Sequence, residues 1–243
     1  MDETRQHGLP PEEDGRVERT RIERVYHAYS QDPYYRRIWS GDAAHYILER
    51  KWEEIARIVQ KEQVDIPAAR LLDLGAGDGG DCDRFRQLGF RPERIVAIDL
   101  LRESLLRTKT SRGWLAVLQA DAARLPFRDA TFEVVYQSTM LSSILDRSLR
   151  GKILHGVRRV LSPQGLFLSY DTRYPNPWNR NTSPVSSSEL RAAFPGWRVS
   201  AHSTTPIPQL ARLVGKLSKR ALRVIEAIPL LRSHLLAIVR RPG

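Results

Sequence analysis

A short loop combines glycine with carboxylates in a spacing that suits a ligand of nucleotide type. The stretch 71-LLDLGAGDGGD-81 contains Gly-x-Gly-x-x-Gly at Gly75, Gly77 and Gly80, and also Asp-x-Gly-x-Gly-x-Gly beginning at Asp73. Glycine is needed in such a loop because the backbone must turn sharply and approach the ligand without a Cβ atom in the way. The first pattern is typical of a pyrophosphate-binding loop, and the second indicates a different ligand.

The charge of this loop distinguishes the two patterns. A pyrophosphate needs hydrogen-bond donors and a positive helix N-terminus. The loop instead carries four aspartates, with no basic residue before Arg84: Asp73, Asp78, Asp81 and Asp83. These carboxylates would repel a diphosphate by on the order of 1 kcal/mol per close pair, even with water-like screening. They would attract a ligand that carries an ammonium and a sulfonium, such as S-adenosylmethionine, which has an adenine and a ribose but no phosphate.

A carboxylate that could bind a ribose ends the next apolar run. Asp99 lies 26 positions after Asp73, in the region from which an acid can accept hydrogen bonds from both ribose hydroxyls. Strand, glycine loop, helix and acid therefore follow in the expected order, which makes the site more specific than the glycines alone.

The elements that must position these residues are visible as short apolar runs that alternate with helical segments. Strands are predicted at 70–75, 94–99, 115–120, 132–137, 165–170, 197–202 and 234–241, and helices near 81–88, 102–110, 146–161 and 186–194. The continuous apolar character of the first five strands indicates burial on both faces. This alternation predicts an α/β fold with a doubly wound, mostly parallel sheet.

These motifs resemble those of the class I (Rossmann-like) S-adenosylmethionine-dependent methyltransferases, over about residues 45–205. The family's opening motif is similar to 71-LLDLGAGDG-79, and its ribose-binding acid is similar to Asp99. Its third element resembles 119-QADAARLPFRDATFEVV-135, and its fourth strand and exit resemble 135-VYQSTM-140. The resemblance implies a seven-stranded sheet with a reversed last strand, an N-terminal helical cover and a C-terminal helical insertion before that strand.

The resemblance also implies which residues hold the cofactor, S-adenosylmethionine. Asp99 would bind the ribose, and Leu100 would lie against the adenine. Asp121 would lie near the adenine amino group, beside the backbone N–H of Ala122. Gln137 would belong to the segment that lines the methionine end. The full implied set is Asp73, Leu74, Gly75, Ala76, Gly77, Asp78, Gly79, Asp99, Leu100, Asp121, Ala122 and Gln137.

The acceptor site is expected where the parallel strands end. A hydroxyl acceptor needs a base to take its proton, and the candidate is Asp171, just after the fifth strand. The alternative is that this carboxylate pairs with Arg173 or caps the strand. Aromatic residues of the N-terminal cover and of the following loop are candidates for the acceptor pocket: Tyr26, Tyr29, Tyr34, Tyr174 and Trp178. No metal is expected, because the sequence has no clustered Asp/His pattern.

Taken with the resemblance, these residues predict O-methylation of a small polar acceptor, a sugar or a glycosylated or secondary metabolite. The formal net charge of +11 motivates an alternative, an RNA or protein methyltransferase. Methylation of a nucleic-acid base is not favoured, because the Asn/Asp-Pro-Pro-aromatic motif of that branch is replaced by 137-QSTM-140. Two further alternatives are a non-catalytic module that binds the cofactor and a nicotinamide-dependent oxidoreductase.

The chain is predicted to have three parts. A disordered arm is predicted for 1–17, a helical cover for 18–60 and the methyltransferase domain for 61–243. Within this domain, 206–232 carries apolar residues at helical spacing with basic residues between them. The pattern predicts a basic amphipathic insertion, which would either pack on the domain or lie on an anionic membrane.

The remaining features concern the compartment. One cysteine, Cys82, is present, so neither an intrachain disulfide nor a cysteine-based zinc site is expected. The first residues are polar and lack the apolar core of a secretory signal. No apolar run approaches the roughly 18 residues of a membrane span. These features predict a cytoplasmic protein, soluble or peripheral at the membrane, and they leave its oligomeric state open.

Overall fold

The predicted sheet forms the centre of the computed structural model, which describes residues 11–33, 35, 40–177, 179–215 and 218–242. Seven strands lie in the order β3-β2-β1-β4-β5-β7-β6 in this part of the chain. They are β1 Leu71–Leu74, β2 Ile95–Asp99, β3 Ala116–Gln119, β4 Phe132–Ser138, β5 Leu161–Thr172, β6 Arg198–Pro206 and β7 Arg232–Arg240. The first five strands are parallel, whereas β7 is antiparallel to β5 and β6. The prediction of a mostly parallel sheet with a reversed last strand is confirmed.

Helices lie on both sides of this sheet. Over the described residues they are α1 Pro11–Gln31, α2 Asp42–Lys61, α3 Gly80–Gln87, α4 Arg102–Ser111, α5 Arg147–Val160, α6 Ser187–Ala193, α7 Pro208–Gly215 and α8 Lys219–Ala227. Short 3₁₀ turns occupy Pro92–Arg94, Ala122–Arg124, Leu141–Ser143 and Pro229–Leu231. The predicted helices between the strands are confirmed within one residue at each end.

The strands at the centre are buried because each face of the sheet meets a layer of helices. Successive side chains of a strand point to opposite faces, so Val134 and Val135 of β4 belong to different apolar clusters. One cluster contains Ile153 of α5, and the other contains Ile55 of α2 and Phe85 of α3. Full burial of such a side chain contributes about 1.5–3 kcal/mol.

The edge strand β3 differs from the prediction. The apolar run 115–120 was expected to be buried on both faces, but within β3 three of four residues are exposed. Leu118 is 41% exposed. The cause is position, because β3 is paired with β2 alone in the described part of the sheet. Apolar character does not indicate which strand lies at the edge.

The N-terminal cover is helical, as predicted, but it begins earlier. Since α1 spans Pro11–Gln31, the prediction of a disordered arm was wrong for residues 11–17. The first ten residues lie outside the described part of the chain. In α2 the apolar residues Ala43, Ile47, Trp52, Ile55, Ile58 and Val59 are buried.

The insertion before the last strand consists of two short helices instead of one. Ala211 of α7 and Leu222 of α8 pack on Ala43 and Ile47 of α2. One apolar side of the predicted amphipathic segment is therefore buried against the domain. Among the helices of the described residues, none is both long and apolar enough to cross a bilayer.

Candidate functional site

A cavity of about 550 Å³ lies where the parallel strands end. Loops that follow β1 to β4 form much of its wall, and α1 and α2 cover it. Ligands of doubly wound sheets bind at this edge of the sheet. Gly77, Asp99, Tyr170 and His234 all line this cavity. We call the region around Gly77 and Asp99 the cofactor end and the region around Tyr170 and His234 the acceptor end.

The cofactor end is organised by Asp99. Its Oδ2 accepts a hydrogen bond from the backbone N–H of Gly77 at 2.9 Å, and its Oδ1 accepts one from Leu101 N–H at 2.8 Å. Burial raises the pKa of Asp99 above its usual value, while these backbone donors act in the opposite direction. The carboxylate is thus tied to the glycine loop and still faces the cavity, as a ribose-binding acid must.

Two glycines of the loop cannot be replaced without strain. Gly75 has φ of 69°, and a Cβ there would lie 2.6 Å from Met140 Cγ. Gly79 has φ of 77° and precedes α3, where a Cβ would lie 2.8 Å from Thr108 Cγ2. Both the left-handed backbone and the close approach require glycine. The loop therefore holds its shape before any ligand binds.

Asp73 lies beneath the loop, although it was expected among the cofactor contacts. It is 2% exposed, and its Oδ2 accepts a hydrogen bond from Cys82 Sγ at 3.2 Å. Burial raises the pKa of Asp73 to about 8, and the nearby Asp81 carboxylate adds to this rise. Asp73 therefore supports the site from beneath, through its hydrogen bond to Cys82 of α3.

Three other residues of the predicted loop have different positions. Asp78 lines the cavity. Leu74 is fully buried in the core. The backbone of Ala76 donates to Ile98 O at 3.0 Å, which ties the loop to β2.

The adenine side of the cofactor end is lined by the predicted residues Leu100, Asp121 and Ala122. Asp121 Oδ1 accepts a hydrogen bond from Ala123 N–H at 2.9 Å. Its Oδ2 forms an ion pair with Arg19 of α1 at 2.6 Å. The N-terminal helix therefore contacts the same carboxylate that the resemblance assigns to the adenine.

Gln137 and Asp171 brace the loop after β4 and do not line the cavity. The Gln137 amide donates to Ser169 Oγ at 2.6 Å and to the Asp171 carboxylate, while its Oε1 accepts from Met140 N–H at 3.1 Å. Asp171 Oδ1 accepts from Ser142 N–H at 2.9 Å. Asp171 is 1% exposed, and burial raises its pKa to about 6. Its assignment as the base is corrected, because the carboxylate is enclosed by protein donors.

The predicted aromatic residues are divided between the cavity and its surroundings. Tyr26 lines the cavity, with its hydroxyl 2.8 Å from Ser143 Oγ. Tyr29 lies behind it, where it stacks on Tyr35 with ring centres 4.1 Å apart. Tyr174 is on the surface beneath the Arg173 guanidinium and does not line the cavity, so its assignment is also corrected. Tyr34 and Trp178 lie outside the described residues.

A buried lysine that the sequence analysis missed also lines the cavity. Lys51 of α2 is 6% exposed, and its Nζ lies 2.8 Å from both oxygens of Asp81. Asp81 also accepts hydrogen bonds from Tyr136 Oη at 2.7 Å and Trp52 Nε1 at 3.2 Å. The sequence contained one indication of this position. Lys51 follows Ile47 by one helical turn, which places it on the buried face of α2.

Comparisons with known proteins agree with this geometry. A model of the methyltransferase domain family matches residues 72–169, from β1 into β5. An uncharacterised methyltransferase of Synechocystis sp. is 31% identical over 112 residues, which cover 46% of this chain and 51% of the relative. Residues 72–169 therefore form a methyltransferase domain, in a chain with the fold of the class I S-adenosylmethionine-dependent methyltransferases. This agrees with the family resemblance inferred from its motifs.

Further members of this methyltransferase family differ in the atom that they methylate. The fatty-acid O-methyltransferase of Mycolicibacterium smegmatis is 34% identical over 115 residues, which cover 46% of this chain and 40% of that one. The chain thus spans about half or less of the length of these two curated relatives. The solved structure of 1,6-didemethyltoxoflavin-N1-methyltransferase from Burkholderia thailandensis has a TM-score of 0.60 and 18% identity. It covers 97% of this chain and 92% of that one, and it shows a shared fold.

S-adenosylmethionine is the cofactor of this family, and the residues of the cavity fit it. The glycine loop is preformed, Asp99 faces the cavity from the second strand, and the adenine side has the expected lining. A cavity with carboxylates at the loop and few free backbone donors suits a ligand that carries positive charge and no phosphate.

Proposed function

We propose that the protein transfers a methyl group from S-adenosylmethionine to a hydroxyl of a small-molecule acceptor. The observation that carries this proposal is the continuity of one cavity, which extends from Asp99 and the glycine loop to a second end at Tyr170 and His234. When bound, the cofactor supplies an activated methyl group on a sulfonium. The protein then contributes mainly the alignment of the acceptor and a place for its proton.

In this proposal, different residues at the cavity bind different parts of the cofactor. Asp99 accepts hydrogen bonds from the ribose hydroxyls, and Leu100 packs against the adenine. Lys51 is the buried cation beside the loop, and it suits the carboxylate of the methionine part. The carboxylate of Asp78 suits its ammonium group. Each of these residues belongs to the described cavity wall or lies within hydrogen-bond reach of it.

The lining of the acceptor end supports an acceptor with an apolar or aromatic body. Tyr26, Tyr35, Ile47, Leu48 and Tyr170 contribute to this wall. The sugar hypothesis depended on the polar loop after β5, and its residues Asp171, Arg173 and Tyr174 do not line the cavity. We therefore favour a phenol or alcohol, with sugars attached to such a body still included. The fatty-acid relative is consistent with an apolar body, and a carboxylate acceptor would need no base.

Cofactor titration tests the core of this proposal. In isothermal titration calorimetry, we expect binding of S-adenosylmethionine and S-adenosylhomocysteine and none of NADH. Asp99→Ala should weaken both by at least about tenfold, because each hydrogen bond to a charged group contributes about 1.5–3 kcal/mol. Asp129→Ala is the control, since that side chain is 78% exposed in its ion pair with Arg159. Binding of NADH alone would indicate an oxidoreductase instead.

Product formation distinguishes an enzyme from a silent binding module. The assay measures S-adenosylhomocysteine released with a panel of phenols, alcohols, fatty acids, sugars and RNA. Turnover with a phenol or alcohol supports the proposal, and turnover with RNA alone would support the alternative motivated by the +11 charge. Cofactor binding without release of product from any of these would favour the silent module.

We also propose that the helical insertion contacts an anionic membrane surface. Leu213, Val224 and Leu230 are 67%, 65% and 74% exposed, although α7 and α8 already pack on the domain. Arg220 and Arg223 are exposed near them. The only acid between residues 206 and 232 is Glu226, which turns inward to Tyr46 and Arg50. We call Leu213, Val224, Ile228, Leu230, Arg220 and Arg223 the apolar-basic face, which has the composition that anionic lipid attracts.

A further inference from the structure

The acceptor end contains a buried imidazole that no sequence motif indicated. His234 is 4% exposed and lines the cavity from β7, where it is opposite Thr172 of β5 in the sheet. Its ring stacks on that of Tyr170, with ring centres 4.5 Å apart and planes inclined by 8°. Stacking and strand position fix the plane of the ring, so its two nitrogens have fixed directions.

Two hydroxyl groups hold the nitrogen that faces the protein. Nδ1 of His234 lies 2.9 Å from Ser233 Oγ and 3.1 Å from Thr205 Oγ1. Thr205 Oγ1 donates to Thr204 O at 2.8 Å, and Ser233 Oγ is placed to donate to Pro206 O at 3.3 Å. Each hydroxyl has a single hydrogen, so both oxygens are left to accept from Nδ1–H. From this network we infer that the proton of the neutral ring is on Nδ1, which leaves the lone pair on Nε2.

The residue that holds this nitrogen is in a strained conformation. Thr205 has φ of 54°, in the left-handed region that β-branched residues rarely adopt. Such strain costs on the order of 1–3 kcal/mol and is concentrated at functional sites. Thr205 is fully buried, and its hydroxyl lies 2.8 Å from Tyr170 Oη. Its strained backbone therefore positions one hydroxyl against both rings of the acceptor end.

The charges around His234 keep it neutral. Burial lowers the pKa of His234 to about 3, and the Lys51 ammonium of α2 adds to this effect. Tyr170 of β5 is the titratable group in direct ring contact, and burial raises the pKa of its phenol above the usual value. Both side chains are uncharged at neutral pH, and the Lys51 ammonium is the charged group that acts on His234.

We propose that His234 is the catalytic base of the acceptor site, a role that rests on the proposed methyl transfer to a hydroxyl. The acceptor O–H donates to Nε2, and the acceptor oxygen forms a bond to the methyl carbon. The bond from that carbon to sulfur breaks, and its electron pair stays on sulfur. The proton passes to Nε2, and the imidazolium releases it to water as the product leaves.

A base of low basicity is sufficient for this step. The oxygen becomes strongly acidic as it gains the methyl group, because a protonated ether is a far stronger acid than an imidazolium. His234 therefore accepts the proton late in the transfer, when the acceptor oxygen already carries positive charge. The depressed basicity also ensures that Nε2 is free before each turnover.

The other candidates for this role are positioned less well. Asp171 follows Tyr170 in β5 and therefore points to the opposite face of the strand, where protein donors enclose it. His45 of α2 lines the cavity but is exposed. His155 of α5 provides the control, since it is an exposed histidine that does not line the cavity.

Nitrogen chemical shifts of labelled histidine test the geometry without an acceptor. The protein has six histidines, and His234→Gln identifies the signal. We expect a neutral ring with hydrogen on Nδ1 that does not titrate between about pH 8 and pH 5. A hydrogen on Nε2, or titration near the usual value, would overturn the proposal. Cofactor titration of the same sample shows separately whether the proposed function itself holds.

Acceptor acidity provides the kinetic test. The probes are 4-methoxyphenol, which keeps its proton, and 4-nitrophenol, which is mostly ionised at about pH 8.5. For the first we expect His234→Gln to lower kcat by about 100-fold or more, because general bases contribute 10²–10⁴-fold. For the second we expect less than about tenfold loss. His155→Gln should resemble wild type with both probes. Equal loss with both probes in His234→Gln would show a merely structural role and overturn the assignment.

Discussion

At the scale of single residues, the buried histidine at the acceptor end makes stability depend on pH. Its pKa is about 3 in the folded protein and about 6.5 in an unfolded chain. Below pH 6.5 the unfolded state binds a proton that the folded state does not, so folding stability falls as pH falls from about 6.5 to about 3. Between pH 7 and pH 5 the expected loss from His234 is about 2 kcal/mol.

This loss is measured as a difference between two proteins. Urea unfolding at both pH values should give wild type a larger decrease in unfolding free energy than His234→Gln. Asp73 acts with the opposite sign, because its raised pKa of about 8 favours the folded state as pH falls. It is present in both proteins and cancels. An equal pH response in the two proteins would contradict the burial of a neutral ring at 234.

Single residues also show how far the sequence could be interpreted. Gly75, Gly77 and Asp99, which were predicted to bind the cofactor, line the cavity, because a local motif contains all the geometry that they need. Lys51 and His234 were missed because their position depends on the packing of α2 and on the insertion of β7 beside β5. Asp171 was misassigned because β5 extends to Thr172, which places this residue inside the strand, on the face away from the cavity.

At the scale of elements, the turn from β1 to α3 should tolerate little change. Gly75→Ala combines a left-handed backbone, which costs about 1–2 kcal/mol, with a contact to Met140 that must shift. We expect a decrease in unfolding free energy of about 1–3 kcal/mol and weaker binding of S-adenosylmethionine. Met140→Ala in the same chain should restore part of the loss, since it removes the contact with Cγ but leaves the contact with Cβ at 3.0 Å and the backbone strain.

Gly113→Ala is the matched control for this element. A Cβ added at Gly113 would have no atom within 4 Å, and this glycine has no positive φ. Denaturant unfolding and calorimetry of the cofactor should find this variant close to wild type. If Gly75→Ala also behaved like wild type, the loop would be more adaptable than its close packing indicates.

The elements were easier to predict than their boundaries and exposure. Alternating apolar runs identified every strand of the described sheet, and for the buried parallel strands the reason is that they must be apolar along their length. They did not show that β3 is an exposed edge, or that the segment 206–232 divides into α7 and α8. Those outcomes depend on the order of strands and on contacts with α2, neither of which is a local property.

At the scale of the whole molecule, the distribution of exposed apolar residues predicts a membrane-binding side. Wild type should co-sediment with vesicles of phosphatidylglycerol and phosphatidylcholine at low salt and less at high salt, because surface charge is screened. Val224→Ser with Leu230→Ser should reduce binding by about tenfold, from lost burial of apolar area. Arg220→Ser with Arg223→Ser should reduce both the affinity and its dependence on salt.

The control for this surface lies on another side of the protein. Leu106 and Leu118 are 54% and 41% exposed on α4 and β3. Replacing both with serine should leave vesicle binding unchanged. If the Leu106/Leu118 pair lost as much vesicle binding as the Val224/Leu230 pair, the assignment of the apolar-basic face would be contradicted. Absence of vesicle binding by wild type would contradict it as well.

The order of strands has a consequence for how the protein is made. β7 is the last strand in the chain, yet it lies between β5 and β6, and β6 is paired with β7 alone in the described sheet. On a ribosome, the loop that holds the cofactor emerges early, while β6 has no partner until residues 232–240 follow. The nascent chain can therefore acquire its cofactor site before its acceptor site, because Tyr170 meets His234 only when the last strand inserts.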